Sequence, residues 1–374
     1  MNPAMSARSW AVTAVGSLLL TGASTAAVTP WASAEGANPT VASSEAVATL
    51  QRASQAARSQ PYSGTQFLSA WTRGATTSVV VNVIHVPGRG SLVQVPATAD
   101  GVGASILESD SGPSAADGPA GLDGSPAVLP GLDAEPLALL QRNYDVSMAP
   151  AGSCAGRPAS VVEVRRRGVD ASLAGRFWVD QRTGLVLRRE VFDTQGRTVR
   201  ASAFGTVDTD AVPTMSGKLP PTSAKASGES LSAGRLNAMR STGWTAPDRL
   251  GADLELYDTR ATGAGRNQTL HLSYSDGLST LSLFEQRGRL DAAAVRGWRR
   301  ERIGAADVFV NDTLPQRVAW AGNGTVYTMV ADAPGEMIDA VVAALPHEPE
   351  PARGVLARMR HGLARVGSWL NPFG

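Results

Sequence analysis

The chain has 374 residues, with 34 basic and 33 acidic side chains that give a formal charge of +1 at pH 7. A chain this close to neutral has no global electrostatic attraction to nucleic acid, so no nucleic-acid partner is expected. Its single cysteine, Cys154, excludes an intramolecular disulfide, so the fold must be stabilised by burial. The length suits two domains of about 100–200 residues each.

The first 34 residues have the layout of a secretory signal peptide. Arg8 precedes an apolar stretch at residues 10–20, and the small residues at 32–34 match the pattern that signal peptidase requires. The uncharged run is also long enough for an uncleaved anchor, but its second half is rich in Thr, Ser and Gly, which disfavours a spanning helix. We therefore predict cleavage before Glu35 and an exported, extracytoplasmic protein, associated with the outer face of the cytoplasmic membrane.

Residues 35–211 are predicted to form the first domain. Apolar side chains recur at helical spacing over residues 43–59, and strands are indicated at residues 65–71, 76–86 and 92–95 by alternation and β-branched runs. Residues 97–131 are rich in Gly, Asp, Ser and Pro and predict a long mobile loop.

An antiparallel meander is the clearest structural signal and covers residues 159–207. Three alternating runs are separated by turns at residues 181–184 and 193–196. Alternation places Phe177 and Val179 on one face and Trp178 on the other, while Arg188, Glu190 and Arg200 indicate partly solvated faces.

A Pro-, Ser- and Gly-rich segment at residues 212–230 predicts a linker, and residues 231–347 a second domain. The second domain repeats the order of helix and then strands. Its helices are expected at residues 231–241 and 337–345, and its tightest turns at residues 275–277 and 322–324.

The sequence offers no set of residues for catalysis or metal binding. The four histidines are scattered, without a pair at metal-ligand spacing, and there is no GxSxG elbow, CxxC or phosphate-binding glycine loop. Cys154 lies in a small-residue turn without an obvious base, which favours an unreactive thiol. We therefore expect no enzyme activity, no catalytic residue, no metal and no cofactor.

Several segments, in order and spacing, resemble the RseB/MucB family. They are PYSGTQF (61–67), NYDV (143–146), AGRPASVVEV (155–164), FWVDQRTGLVLRREVFDTQG (177–196), ASAFGTV (201–207) and YSDGL (274–278). The resemblance implies an α+β fold class: a LolA-like antiparallel half-barrel wrapped around helices, followed by a smaller α+β C-terminal domain.

The resemblance also implies a function. It suggests a non-enzymatic regulator that binds the extracytoplasmic part of a membrane anti-sigma factor and senses an envelope stress or lipid signal. The alternative is a lipid or lipoprotein carrier of the cell envelope, because the same half-barrel shape serves transport.

Candidate residues for these two kinds of binding follow. Strand parity offers Phe67, Trp71, Phe177 and Val179 as ligand-binding residues on one concave apolar face, with ordinary core packing as the alternative. In the YSDGL motif, Tyr274, Asp276 and Gly277 are candidates for partner binding, with a plain hairpin turn as the alternative.

Residues 348–374 form a predicted basic amphipathic tail. Residues 353–374 contain no acidic side chain, and their apolar residues recur at helical spacing. We expect membrane-surface contact through Arg358, Arg365, Trp369 and Phe373, since arginine and aromatic side chains suit an anionic interface. A helix that packs onto its own domain is the alternative.

Overall fold

A computed structural model describes residues 39–96, 104–108, 134–168, 171–211, 229–251 and 253–347. The predicted signal peptide, the amphipathic tail, residues 212–228 of the linker and most of the predicted loop lie outside the described residues. Two antiparallel sheets make up most of the described chain. We call residues 39–211 the N-terminal half and residues 229–347 the C-terminal half.

The N-terminal half begins with a helix and continues with an antiparallel sheet. Its elements are α1 (Pro39–Ser59), β1 (Tyr62–Trp71), β2 (Thr76–Val86), β3 (Gly90–Val95), β4 (Ala104–Glu108), α2 (Ala134–Asn143), β5 (Tyr144–Cys154), β6 (Arg157–Arg166), β7 (Leu173–Asp180), β8 (Val186–Phe192) and β9 (Thr198–Asp208). The strand order is β4-β3-β2-β1-β9-β8-β7-β6-β5, so the described sheet is open, with β4 and β5 at its edges.

One face of this sheet, which we call the inner face, packs against the helices. Ala46, Leu50 and Ala53, at helical spacing on α1, are buried in one cluster with Phe177 and Val179 of β7. The helix therefore supplies the apolar stripe that covers the middle of the sheet.

The C-terminal half contains a second antiparallel sheet with a helix near each end of the sequence. Its elements are β10 (Glu229–Ser230), α3 (Ala233–Ser241), β11 (Arg249–Leu250), β12 (Leu254–Thr262), β13 (Thr269–Ser275), β14 (Thr280–Arg287), β15 (Arg299–Ile303), β16 (Ala306–Asn311), β17 (Gln316–Gly322), β18 (Thr325–Asp332) and α4 (Gly335–Ala344). The strand order is β10-β12-β13-β14-β18-β17-β16-β15, with β11 also paired to β12.

Both helices of the C-terminal half pack on one face of its sheet. Leu236 of α3 and Val341 of α4 are buried in one cluster with Tyr274, Trp320 and Tyr327 from the strands. Trp320 and Tyr327 stack with ring centroids 5.3 Å apart, which adds to the apolar burial.

The predicted α+β fold class is confirmed, and two local expectations are corrected. Residues 104–108, inside the segment predicted as a mobile loop, form β4 and pair with β3. Arg200, expected on a partly solvated face, is only 4% exposed. It lies on the inner face, where the C-terminal half covers it.

Candidate binding site at the junction of the two sheets

The YSDGL motif forms the turn between β13 and β14. Asp276 Oδ1 accepts hydrogen bonds from the backbone N–H groups of Leu278 (2.8 Å) and Ser279 (2.6 Å). Ser275 Oγ accepts one from the Gly277 N–H at 2.9 Å. Gly277 has a φ of +96°, which glycine adopts without the strain that a Cβ would add. The motif thus forms a turn that is stabilised by hydrogen bonds among its own residues, as an Asp-Gly pair between two strands predicts.

This turn is buried against the N-terminal half. The Tyr144 hydroxyl donates to Asp276 Oδ2 at 2.6 Å, and Asn143 Nδ2 donates to the Asp276 carbonyl at 3.0 Å. A Cβ added at Gly277 would collide with the backbone of Leu140 in α2. The end of α2 and the start of β5 therefore fit directly onto the turn.

Leu278 anchors the turn in the core of the other half. It is 4% exposed and belongs to the cluster that contains Phe177 and Leu140 of the N-terminal half. A Cβ at Gly175 would lie 2.6 Å from Leu278 Cδ1, so the absent side chain leaves room for the leucine. Arg189 Nη2 donates to the Leu278 carbonyl at 2.5 Å.

An ionic cluster joins the two sheets beside this turn. Arg189 Nη1 lies 2.8 Å from Asp332 Oδ2, and Arg200 Nε lies 3.4 Å from Asp332 Oδ1. Burial by itself raises the pKa of Asp332, but the two guanidinium groups outweigh it and hold that pKa below its ordinary value. At Asp276 burial prevails, and its pKa is raised despite the hydrogen bond from Tyr144.

A further contact joins the β1–β2 turn to the loop between β16 and β17. Thr72 Oγ1 donates to Asp312 Oδ1 at 3.1 Å, and Thr77 Oγ1 donates to the Asp312 carbonyl at 2.6 Å. Arg73 forms an ion pair with Asp339 of α4. These contacts connect the two halves in addition to the YSDGL turn.

A cleft of about 410 Å³ opens along the junction. This volume lies within the range of about 300–1,000 Å³ that is usual for ligand-binding pockets. Its apolar lining includes Val191, Phe192, Leu254 and Leu278, and its polar lining includes Arg166, Arg167, Asp253 and Glu336. The cleft therefore combines an apolar surface with charges of both signs, contributed by both halves.

Two polar groups of the cleft already hold the structure together. Arg166 donates to the main-chain carbonyls of Leu173, Phe192 and Asp193 at 2.8–3.2 Å. Glu336 Oε1 accepts a hydrogen bond from the Thr194 N–H at 2.8 Å and so bridges the halves. Arg167, also on the lining, donates to the Gln141 carbonyl at 2.9 Å and pairs with Asp145, and Asp253 is an exposed charged group.

The residues predicted for ligand binding lie on two faces of the N-terminal sheet. Phe177 and Val179 are buried on the inner face, whereas Phe67 (51% exposed) and Trp71 (39% exposed) project from the opposite face. The strand pairing fixes this arrangement. Across the paired strands Phe67 is aligned with Trp178, and Leu68 is aligned with Phe177. Phe67 and Phe177 therefore point to opposite faces of the sheet. The four side chains do not share one concave surface.

The residues predicted for partner binding are all buried, two of them at the junction and one in the core of the C-terminal half. Tyr274 and Asp276 are both fully buried, and Tyr274 donates its hydroxyl hydrogen to the Pro247 carbonyl at 2.7 Å. Asp276 and Gly277 contact Tyr144 and Leu140 of the N-terminal half, whereas Tyr274 packs in the core of the C-terminal half. The membrane-contact candidates Arg358, Arg365, Trp369 and Phe373 lie outside the described residues.

Sequence reasoning missed Tyr144, Arg189, Arg200 and Asp332. Arg189 had a usable signal, because it alternates with Leu187 and Val191, which are buried on the inner face. A charged residue at an apolar parity position indicates a buried partner. That partner, Asp332, belongs to the other half, so the sequence around Arg189 does not identify it.

Within the described part of the chain, no group of three or more His, Cys, Asp or Glu side chains is placed to hold a metal ion. None of the helices described has the length and apolar character needed to cross a bilayer.

The fold and the junction define an α+β protein with two antiparallel sheets joined by a buried polar and ionic contact. Residues 45–226 match the model of the MucB/RseB N-terminal domain. This stretch of the chain is therefore similar to the N-terminal domain of the MucB/RseB family. No curated protein matches the sequence significantly.

Solved structures provide a comparison of the fold. A crystal structure of MucB in complex with MucA(peri) is 19% identical, covers 82% of this chain and 100% of its own, and superposes with a TM-score of 0.47. A MucA/MucB complex from Pseudomonas aeruginosa gives 19% identity, the same coverages and a TM-score of 0.46. A LolA superfamily protein from Nitrosomonas europaea is 14% identical, covers 45% of this chain and 94% of its own, and has a TM-score of 0.22.

Proposed function

We propose that this protein is an exported, non-enzymatic regulator that binds the extracytoplasmic segment of a membrane anti-sigma factor. The observation that carries the proposal is the MucB/RseB N-terminal domain at residues 45–226. MucB has been crystallised with MucA(peri). We propose that this protein forms a complex of the same type with its own anti-sigma factor.

The junction cleft is the binding surface we favour for this partner. An interface needs an apolar centre for affinity and a polar rim for specificity. The cleft supplies both, with Phe192 and Met337 among its apolar residues and Arg167, Asp253 and Glu336 among its charged ones. An extended peptide with an apolar anchor and charges of both signs fits this lining.

Regulation follows if a second ligand favours an arrangement of the two halves that the partner does not. A ligand shifts an equilibrium only by its difference in affinity for two states. We propose an envelope stress or lipid signal as that ligand, with Phe67, Trp71, Phe177 and Val179 as candidate contacts. Because these residues lie on two faces, Phe67 and Trp71 are to be tested apart from Phe177 and Val179.

We also propose that the mature chain begins at Glu35 and is held at the outer face of the cytoplasmic membrane. The acid-free tail at residues 353–374 supports membrane contact by its arginine and aromatic side chains. Removal of residues 351–374 should then reduce binding to anionic vesicles while binding of the anti-sigma segment is retained.

Blocking the cleft tests the assignment of the partner site. Ala340 is exposed on α4 and lines the cleft, so Ala340→Trp fills it without disturbing the core. We expect the dissociation constant for the anti-sigma segment, measured by calorimetry, to rise at least tenfold. Ala343→Trp, exposed on the same helix but outside the lining, is the matched control and should bind normally.

The carrier function makes a different prediction for the same preparations. A carrier would co-purify with lipid and would show no measurable affinity for the anti-sigma segment. That result, obtained with a folded wild-type protein, would replace the regulator proposal by the carrier proposal.

A further inference from the structure

Three positions on the inner face of β1 and β9 carry buried polar side chains with unpaired groups. Gln66, Ser202 and Arg200 are 0%, 7% and 4% exposed. Within the described part of the chain, the amide oxygen and nitrogen of Gln66, the Ser202 hydroxyl and Arg200 Nη2 have no hydrogen-bond partner. Native proteins pair nearly all such groups, because burial removes them from water.

The strand register places the three side chains on one face of β1 and β9, one at each of three successive cross-strand pairs on that face. Gln66 pairs with Phe204, Leu68 with Ser202 and Ala70 with Arg200. Alternate residues of a strand point to the same side, so all three face the interior together with Leu68. We call this set the inner polar row.

The C-terminal half closes over the inner polar row. Leu314, in the loop between β16 and β17, packs against the cluster that contains Leu68 and Phe204. Asp332, at the end of β18, approaches Arg200 from the same half. The row therefore lies between the two halves.

The carboxylates around Arg200 are already occupied. Asp332 lies at hydrogen-bonding distance from Arg189 and reaches Arg200 only at 3.4 Å, without a hydrogen bond from Nε. Asp312 accepts hydrogen bonds from Arg299 (2.9 Å) and Thr72 (3.1 Å). Arg200 thus forms an ion pair with Asp332, but its Nη2 is left without a hydrogen-bond acceptor in a buried position, where donors are normally paired.

The unpaired groups are suited to one kind of ligand. A guanidinium N–H, a carboxamide NH₂ and a hydroxyl can each donate to an oxyanion oxygen, and the Gln66 amide oxygen can accept from a protonated phosphate oxygen. We propose that the inner polar row binds a phosphate group between the two halves, with Arg200 as its charged contact. The phosphate is either a free ion or part of a lipid headgroup. This site is independent of the partner proposed for the junction cleft.

The test uses thermal unfolding of the mature protein, residues 35–374, with and without sodium phosphate at matched ionic strength. A ligand that binds only the folded state raises the melting temperature. Phosphate also stabilises proteins in general, because it is excluded from their surfaces. The comparison between variants distinguishes this general effect from binding at the inner polar row. Ser202→Ala and Gln66→Leu remove one unpaired group each, and Arg188→Gln on the exposed outer face is the matched control.

We expect a phosphate-dependent rise in the wild type and in Arg188→Gln, and a loss of that rise in Ser202→Ala and Gln66→Leu. Equilibrium dialysis should show at least tenfold weaker phosphate binding in these two variants. A short-chain phosphatidylglycerol, used as monomers, identifies the source: tighter binding than inorganic phosphate indicates a headgroup, and equal binding a free ion. An equal rise in every protein, or none in the wild type, would overturn the proposal and leave water as the occupant of the row.

Discussion

Replacing Leu278 by alanine perturbs the contact on which the junction depends. Leu278 belongs to the C-terminal half by sequence but is buried in the core of the N-terminal half, 4% exposed. The substitution removes three carbons, and at about 0.8 kcal/mol each the lost transfer free energy is about 2.4 kcal/mol. The cavity left beside Gly175 adds to this, so we expect a total loss of about 3–4 kcal/mol.

Chemical denaturation measures this loss of stability. The number of unfolding transitions tests whether the loss arises from a weaker contact between the halves. Leu281→Ala is the matched control, because Leu281 is also buried but lies in the C-terminal half's own core. Both variants should lose stability. Leu278→Ala alone should separate the unfolding of the halves into two transitions, since it weakens their contact. A loss below about 1 kcal/mol, or a single transition as sharp as that of Leu281→Ala, would refute the reasoning.

Three further predictions concern the same junction. Tyr144→Phe should cost about 1–3 kcal/mol by urea denaturation, because it leaves the buried Asp276 carboxyl without its hydroxyl donor; no change would mean that the bond contributes nothing. Gly277→Ala should be more harmful, since it adds a Cβ at a φ of +96° against Leu140, and wild-type stability would contradict the packing described. Asp332 has a lowered pKa, so its contribution is present above its ordinary value of 3.8 and is lost as the pH falls through the folded-state pKa. The stability difference between the wild type and Asp332→Asn should therefore shrink on acidification below about pH 4, and a constant difference would argue against the ion pair.

Much of the fold could be predicted, because strand alternation and turn chemistry are local. The meander of β6 to β9 and its turns follow from alternating apolar residues and from glycines that favour tight turns, such as Gly184 and Gly196. Phe177 and Val179 share a face, as parity requires. The sequence of β15, RRERI, is almost entirely charged and lacks the apolar alternation that would predict a strand.

The candidate site was harder to predict because it depends on pairings between strands that are distant in sequence. Alternation within one strand shows which of its residues share a face, but not which residues of another strand lie on that same face. The register between the strands decides this, and it places Phe67 on the face opposite Phe177. The YSDGL motif was recognised as a turn, but its burial against Tyr144 is a contact across 132 residues. Only the tertiary structure reveals such contacts.

Site-specific photo-crosslinking tests the central claim most directly. A photoreactive amino acid at position 340, on the cleft, should crosslink to the extracytoplasmic segment of the anti-sigma factor in intact envelopes, while the same group at position 343 should not. Crosslinks from both positions, or from neither, in folded protein would contradict the assignment of the junction cleft as the site that binds the anti-sigma factor.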